Sequence, residues 1–169
     1  GGDAVTPPVV LTVAGSDSGG GAGVQADLKV FAALRCYGTS VLTAVTAQNT
    51  LGVHDVHPLP AALVRSQLDA LLADLPPAAT KTGMLATVEA AAVVAARARA
   101  GWLPNLVVDP VLAASTGRRL TAVAAVERLL PYATVATPNV AEASALVGWR
   151  VETPADMVGA AGQLAAGGP

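Results

Sequence analysis

The sequence contains few aromatic and few charged residues. Surfaces that bind nucleic acids or membranes depend on these residue types. Aromatic residues make up 3% of its 169 residues and charged residues 13%, and the formal net charge is −2. Proteins that bind nucleic acid or anionic lipid by electrostatic attraction carry a basic surface, and single-strand binders add aromatic side chains for base stacking. We therefore predict no nucleic-acid partner and no membrane partner.

Cysteine is almost absent as well. Cys36 is the one cysteine, which excludes an internal disulfide and any zinc site built on paired cysteines. The first residues carry no basic stretch followed by an apolar core, and no run approaches the roughly 18 apolar residues of a membrane span. We expect a cytoplasmic protein in which Cys36 packs as a small apolar side chain.

Apolar runs rich in β-branched residues alternate with stretches of helical periodicity. Strands are predicted at 9–14, 40–47, 79–83, 105–109 and 133–137, and helices at 22–36, 61–74, 87–100, 121–130, 139–147 and 154–166. Apolar strands that are continuous rather than alternating indicate a mostly parallel sheet with helices on both faces. The predicted fold class is a three-layer α/β domain over residues 9–169, preceded by a lead at residues 1–8.

The first predicted strand runs into a glycine-rich segment, AGSDSGGGAGVQAD, at residues 14–27. A Walker phosphate loop would need a lysine, and none lies between Gly15 and Gly23. The dinucleotide-binding pattern fits Gly21–Ala26, but it needs an acid about 20 residues later, and residues 40–50 contain none. The remaining interpretations are a tight strand-to-helix turn and the floor of a site for a small polar ligand.

Asp27 is the unusual residue of this segment, because its spacing from Val24 and Phe31 places it on the apolar stripe of the predicted helix. A carboxylate there needs a compensating partner. Two interpretations stay open: a contact within the fold, such as a salt bridge, or a pocket-floor carboxylate that accepts hydrogen bonds from a ligand. Gln48 and Met84 end two other predicted strands. An amide and a carboxylate over an apolar wall suit a heteroaromatic ring that carries an amino group.

Four oxygen-bearing residues follow the last two predicted strands: Asp109, Thr137, Asn139 and Glu142. Oxygen ligands of this kind can hold hydrated Mg²⁺, which would neutralise nucleotide phosphates during transfer. The spacing of Asn139 and Glu142 fits a helix capping box as well, so both interpretations stay open.

Three further polar residues have simpler interpretations beside a functional one. Lys81 is either an anion contact or a solvated lysine. His54 and His57 suggest a metal site but lack a third fixed ligand, so we interpret them as loop residues rather than zinc ligands.

Five segments occur together and in this order: AGSDSGGGAGVQADLK, TAVTAQNTLGV, KTGMLA, VVDPV and TPNVAEASAL. Through them the sequence resembles the hydroxymethylpyrimidine/phosphomethylpyrimidine kinases of thiamine biosynthesis, which have a ribokinase-like fold. The resemblance runs from about residue 9 to the end. It implies ATP-dependent phosphorylation of 4-amino-5-hydroxymethyl-2-methylpyrimidine and then of its monophosphate.

The resemblance also implies roles for individual residues. The acid and the amide of the pyrimidine site would hydrogen-bond the aminopyrimidine, and two apolar side chains would pack on its ring. The implied pyrimidine-binding residues are Gly15, Asp27, Gln48, Met84 and Val111. The implied Mg²⁺ ligands are Asp109 and Glu142, and the implied ATP-phosphate residues are Thr137 and Asn139. Mg²⁺ and ATP are the expected cofactors, K⁺ is a candidate further cation, and a homodimer is implied.

The chain ends at Gly167–Pro169, where the alternating pattern predicts a further strand. The resemblance implies that the catalytic base and a glycine-rich anion hole follow, so we expect a C-terminally incomplete domain and an inactive 169-residue fragment. Ala113 and Ala114 stand where related pyridoxal kinases carry a second acid, and Ser115–Gly117 are expected to form a mobile loop. The alternative functions are a pyridoxine or pyridoxal kinase and a non-catalytic pyrimidine-binding protein.

Overall fold

A parallel sheet forms the centre of the computed structural model, which describes residues 6–114, 117 and 119–168. The strands are β1 (Val9–Ala14), β2 (Tyr37–Leu42), β3 (Ala44–Asn49), β4 (Gly52–Pro58), β5 (Ala79–Thr82), β6 (Leu106–Val108) and β7 (Val135–Ala136). Five of them pair in the order β2-β1-β5-β6-β7, every pair parallel, and β3 and β4 form a separate antiparallel hairpin. The prediction of a mostly parallel sheet is confirmed.

Helices connect the strands of the parallel sheet in the alternating order that the sequence predicts, whereas β2, β3 and β4 follow one another without a helix between them. The helices are α1 (Gly23–Ala33), α2 (Ala61–Asp74), α3 (Val88–Arg99), α4 (Val123–Glu127), α5 (Val140–Val147) and α6 (Pro154–Gly167), with a 3₁₀ turn at Leu130–Tyr132. The helix predicted at 121–130 is shorter than expected, because the chain passes into the 3₁₀ turn. Ser115 and Thr116 of the expected loop, and residues 1–5 of the expected lead, lie outside the described residues.

The two faces of the sheet are distinguished by the side chains of β1. Leu11 and Val13 are fully buried in one apolar cluster with Val64 of α2 and Val94 of α3. Thr12 points to the opposite face, where its hydroxyl reaches a side chain of α1. Since side chains alternate along a strand, α1 covers one face and α2 and α3 cover the other, as in a three-layer fold.

The strand predicted at 40–47 is divided at Thr43, where the chain leaves the parallel sheet. The Thr43 N–H donates to the carbonyl of Ala14 (3.0 Å), and its carbonyl accepts from the N–H of Leu59 (2.9 Å), which follows the hairpin. The hairpin β3–β4 therefore starts directly after Thr43, and the residue that follows the hairpin hydrogen-bonds back to Thr43. Thr43 is buried and lies beside the carboxyl end of β1. His54 and His57 lie on β4, so their assignment to a loop is wrong.

Strand order places a crevice beside β1. The chain continues from β1 to β2 on one side, and β5 pairs with β1 on the other side. In open α/β sheets such a reversal of direction separates the loops that follow two neighbouring strands and opens a ligand site at their carboxyl ends. The carboxyl ends of β1 and β5 are therefore the expected place for a ligand.

Two buried threonine hydroxyls on β5 indicate a position where a substitution would stabilise the fold. Thr80 and Thr82 are buried on the face that α2 and α3 cover, and among the described residues their Oγ1 atoms have no hydrogen-bond partner. A buried polar group without a partner costs about 1–3 kcal/mol. We expect Thr80→Val to raise the free energy of unfolding by about 1 kcal/mol in urea denaturation.

The matched control is Thr12→Val on the opposite face, because the Thr12 hydroxyl donates a hydrogen bond to a carboxylate. That substitution is expected to lower the free energy of unfolding. A decrease of similar size in both variants would contradict the prediction for Thr80.

Candidate functional site

A cavity of about 460 Å³ lies at the carboxyl ends of β1, β5 and β6, beside the start of α1. Its volume is in the range of sites that hold small molecules. All five residues predicted to bind a heteroaromatic ligand line this cavity: Gly15, Asp27, Gln48, Met84 and Val111. The structure thus brings together residues that are spread over 97 positions of the sequence, from 15 to 111.

Asp17 organises the glycine-rich turn at the entrance to α1. Its side chain is buried, and its Oδ2 accepts hydrogen bonds from the N–H groups of Gly21 (2.9 Å) and Ala22 (2.8 Å). Its Oδ1 accepts from the N–H of Gly19 (2.7 Å). Ala22 precedes the first residue of α1, so the carboxylate also lies at the positive end of that helix. No role is predicted for Asp17 from the sequence; an acid placed before several glycine N–H donors is the signal that could have indicated one.

Ser16 and Ser18 lie on either side of Asp17, and both form hydrogen bonds that hold β3 against the glycine-rich turn. Ser18 Oγ donates to the carbonyl of Gln48 (2.6 Å) and accepts from its N–H (2.8 Å). Ser16 Oγ accepts from the N–H of Thr46 (3.2 Å), and the Thr46 hydroxyl donates to the Ser16 carbonyl (2.8 Å). These bonds hold the backbone of Gln48 in place and leave its side chain at the cavity wall. The sequence predicted that Gln48 ends a strand of the parallel sheet. That prediction is wrong, because Gln48 belongs to the hairpin.

Asp27 lies on α1 with its carboxylate directed toward the sheet. Its Oδ2 accepts a hydrogen bond from the Thr12 hydroxyl (2.6 Å), and Lys81 Nζ lies 3.0 Å from each of its carboxylate oxygens. Asp27 therefore forms a salt bridge within the fold, which was the first of the two interpretations. It also lines the cavity, with 17% of its side chain exposed, so the second interpretation stays open.

The apolar wall of the cavity is formed by Met84 and Val111. Met84 is buried, and its carbonyl accepts a hydrogen bond from the buried hydroxyl of Thr43 (2.5 Å). A Cβ atom at Gly15 would overlap the terminal methyl group of Met84, so a larger residue there would displace the end of the Met84 side chain from the cavity wall. Val111 lies in the loop after β6, where its N–H donates to the carbonyl of Asp109 (2.9 Å).

Asp109 follows the last residue of β6 and faces the same cavity. Its N–H donates to the carbonyl of Thr82 on the neighbouring strand (2.9 Å), which extends the parallel pairing by one residue. Its Oδ2 lies 3.5 Å from Lys81 Nζ. One lysine therefore contacts an acid on each side of it.

Asn139 and Glu142 form the capping box of α5. Asn139 Oδ1 accepts from the N–H of Glu142 (2.9 Å), and Glu142 Oε2 accepts from the N–H of Asn139 (2.9 Å). The capping interpretation is confirmed. It uses Oε2 of Glu142, and a role of this carboxylate in holding Mg²⁺ stays a prediction. Thr137 precedes the cap, and its N–H donates to the carbonyl of Val108 (3.0 Å). None of the three residues lines the cavity.

The side chains near the cavity that could bind a metal ion would do so through oxygen atoms. No group of three or more His, Cys, Asp and Glu side chains that could hold a metal ion occurs within residues 6–114, 117 and 119–168. Mg²⁺ commonly binds through one or two carboxylates and keeps several waters or phosphate oxygens. Asp109 fits that manner of binding, because its carboxylate borders the cavity and is about one third exposed.

The arrangement has a polar end and an apolar wall. Asp27 and Gln48 can pair with N–H groups and ring nitrogens, and Met84 can pack on a flat ring. Asp109 borders the same cavity, where its partly exposed carboxylate is accessible to a cation. In the described part of the chain, no helix is long and apolar enough to cross a membrane.

Comparison with known proteins identifies relatives among the phosphomethylpyrimidine kinases. The profile of a family described as phosphomethylpyrimidine kinase matches residues 17–169. A hydroxymethylpyrimidine/phosphomethylpyrimidine kinase from Streptomyces coelicolor is 52% identical over 169 residues, which is 98% of this chain and 62% of that protein. The chain thus spans about 60% of the length of the curated relative.

Solved structures agree with the fold. The crystal structure of phosphomethylpyrimidine kinase from Clostridium difficile 630 matches with a TM-score of 0.87 and 40% identity, over 96% of this chain and 72% of that one. A pyridoxal kinase from Staphylococcus aureus in complex with AMP-PCP and pyridoxal matches with a TM-score of 0.84 and 40% identity, over 96% of this chain and 60% of that one. The expected ribokinase-like fold is therefore confirmed, and the solved chains extend beyond the part matched here.

Proposed function

The chain belongs to the phosphomethylpyrimidine kinase family, and from this we propose that the full-length protein phosphorylates 4-amino-5-hydroxymethyl-2-methylpyrimidine and then its monophosphate, with ATP. The observation that supports this most directly is the cavity in which the five predicted pyrimidine-binding residues meet. Asp27 and Gln48 would accept and donate hydrogen bonds at the aminopyrimidine edge. Met84 and Val111 would pack on the faces of the ring.

The nucleotide would lie on the side of the cavity toward β6 and β7. We propose that Asp109 holds Mg²⁺ together with Glu142, and that Thr137 and Asn139 contact the phosphates of ATP. The metal would supply charge neutralisation at the phosphoryl group being transferred. The ATP analogue in the related pyridoxal kinase supports the choice of nucleotide. K⁺ stays a candidate further cation.

Phosphoryl transfer from ATP also needs a group that accepts the proton of the substrate hydroxyl. We assign that role to none of the described residues, and we propose that it belongs to the segment of the longer relatives that the chain does not span. The isolated 169-residue chain is then expected to be inactive. The exposed apolar side chains of Val30, Leu34 and Tyr37 offer a surface for the homodimer that the resemblance implies, and we expect the protein in the cytoplasm.

The test is steady-state kinetics of the full-length protein with ATP and Mg²⁺. We expect a higher kcat/KM for the hydroxymethylpyrimidine than for pyridoxal, because Gln48 and Met84 form an amide edge and a flat wall suited to the aminopyrimidine. Asp27→Asn is expected to weaken pyrimidine binding about 10- to 100-fold, since hydrogen bonds to a charged acceptor contribute about 1.5–3 kcal/mol. Calorimetry measures the binding, and a thermal melt checks that the variant is folded.

Two results would redirect the proposal. A preference for pyridoxal would favour the second candidate, which the pyridoxal-bound relative supports. Pyrimidine binding by the full-length protein without turnover would favour a non-catalytic binding protein. Unchanged pyrimidine affinity in Asp27→Asn would contradict the assignment of this pocket.

A further inference from the structure

Lys81 is the one positively charged side chain among the described residues that line the cavity. It lies on β5 beside Thr12 of β1, and 24% of its side chain is exposed. Its Nζ lies 3.0 Å from each oxygen of Asp27 and 3.5 Å from Oδ2 of Asp109. An ammonium group therefore separates two carboxylates that lie on different elements of the fold.

The contacts of Asp27 leave part of its hydrogen-bonding capacity unused. A carboxylate has about four acceptor positions, and the Thr12 hydroxyl and the Lys81 ammonium occupy three in this structure. The side chain remains partly exposed to the cavity, so an acceptor position is available to a ligand N–H. The Lys81 contact to both oxygens fixes the plane of the carboxylate and hence the direction in which that position faces.

The charge of Lys81 also allows Asp27 and Asp109 to share the cavity. Asp27 Oδ1 lies 3.0 Å and Asp109 Oδ2 lies 3.5 Å from one nitrogen, so the two carboxylates are near neighbours, and neighbouring like charges repel when they are partly shielded from water. Without the cation, repulsion would turn one of the two side chains away from the position that it has here. Lys81 and the Thr12 hydroxyl thus hold the Asp27 carboxylate together.

We propose that Lys81 is a positioning residue for the pyrimidine, acting through Asp27 rather than by contact with a phosphate. The inference rests on the proposed function, because it gives the Asp27 carboxylate an aminopyrimidine to bind. Of the two interpretations that the sequence left open for Lys81, the anion contact is the one realised, and the anions are carboxylates of the protein itself.

The two possible roles of Lys81 predict different results for two ligands. If Lys81 positions Asp27, its loss weakens the hydroxymethylpyrimidine and the monophosphate to the same extent, because both carry the same ring. If Lys81 contacts phosphate, its loss weakens the monophosphate alone. The dissociation constants of both ligands are measured by calorimetry on the full-length protein without ATP.

We expect Lys81→Met to weaken both ligands at least about tenfold, as for the loss of a charged hydrogen-bonding partner. In a double-mutant cycle, Lys81→Met combined with Asp27→Asn is expected to bind no more weakly than the weaker single variant, because both changes remove one interaction. The control is Arg65→Met, which removes an exposed positive charge on α2 away from the cavity. Its affinities are expected to match those of the wild type.

Lys81→Arg covers the case in which Lys81→Met does not fold. It keeps the charge but replaces a compact ammonium group by a longer planar one, so we expect an equal loss for both ligands with the fold retained. Additive losses in the cycle, a loss for the monophosphate alone, or unchanged affinity in the folded variants would overturn the inference while leaving the proposed function intact. A wild-type protein that binds neither pyrimidine would overturn both.

Discussion

Replacing Asp17 with alanine is expected to lower the free energy of unfolding by about 3 kcal/mol and to abolish measurable pyrimidine binding. The carboxylate accepts three backbone hydrogen bonds, from Gly19, Gly21 and Ala22, in a buried position. A hydrogen bond to a charged group contributes about 1.5–3 kcal/mol, and the freed N–H groups near the surface recover part of the loss from water. Urea denaturation followed by circular dichroism measures the stability, and calorimetry measures the binding.

Binding should fall with stability in this variant, because the turn that Asp17 holds also carries the residues that place β3. Ser18 binds the backbone of Gln48, so a disordered turn would release one side of the cavity. Asp17→Asn keeps one acceptor oxygen and is expected to give a smaller loss. Asp74→Ala, at the exposed end of α2, controls for the loss of charge. A change in Asp17→Ala no larger than in Asp74→Ala would refute the role of this carboxylate.

The layered fold could be predicted because its signal is local. Most strands of the parallel sheet are short runs rich in apolar or β-branched residues, and each connecting helix has its own periodicity, so the alternation is readable without tertiary information. The hairpin was missed for a physical reason at Thr43. The apolar character continues through Ala44 and Val45, whereas the change of direction depends on hydrogen bonds to Ala14 and Leu59.

A hairpin signal was nevertheless present in the sequence. Asn49–Gly52 is a short turn-forming segment between two runs that contain β-branched residues, and such a pattern is typical of a β-hairpin. The histidines and the proline of the second run favoured a loop instead. Gln48 lines the cavity, but it lies in the hairpin and not at the end of a sheet strand, where the sequence placed it. Its role in binding stays a prediction.

The same difference between local and long-range signals applies to the site residues. Asp27 was identified because an acid on an apolar helix stripe is unusual within its own helix. Its partner Lys81 is 54 residues away, and the two meet only because β5 pairs with β1 beneath α1. The register of parallel strands separated by a long crossover is not encoded locally, so the role of Lys81 required the structure. For Asn139 and Glu142 the structure confirms the capping box, and their ligand roles stay predictions.

Gly23→Ala is expected to lower the free energy of unfolding by about 3 kcal/mol and to weaken pyrimidine binding. Gly23 is the first residue of α1, and its φ of +57° lies in the left-handed region, which costs a residue with a Cβ about 1–2 kcal/mol. A Cβ there would also overlap the carbonyl oxygen of Gly15 and lie 3.2 Å from the N–H nitrogen of Asp17. Both neighbours are backbone atoms, which cannot turn aside as a side chain could, and such overpacking typically costs about 1–3 kcal/mol.

Gly101→Ala separates these two contributions. Gly101 has a φ of +79°, and nothing lies within 4 Å of a Cβ built on it, so this variant measures the cost of the backbone conformation alone. We expect a loss of about 1 kcal/mol there, and the remainder in Gly23→Ala is the cost of displacing the Gly15 carbonyl. That displacement moves a residue of the cavity wall, because the Gly15 carbonyl accepts the N–H of Val24 and fixes α1 against the end of β1. Gly101→Ala should therefore leave pyrimidine affinity unchanged. Equal losses of stability in Gly101→Ala and Gly23→Ala would contradict the prediction, because they would mean that the turn accommodates the Cβ atom at no extra cost.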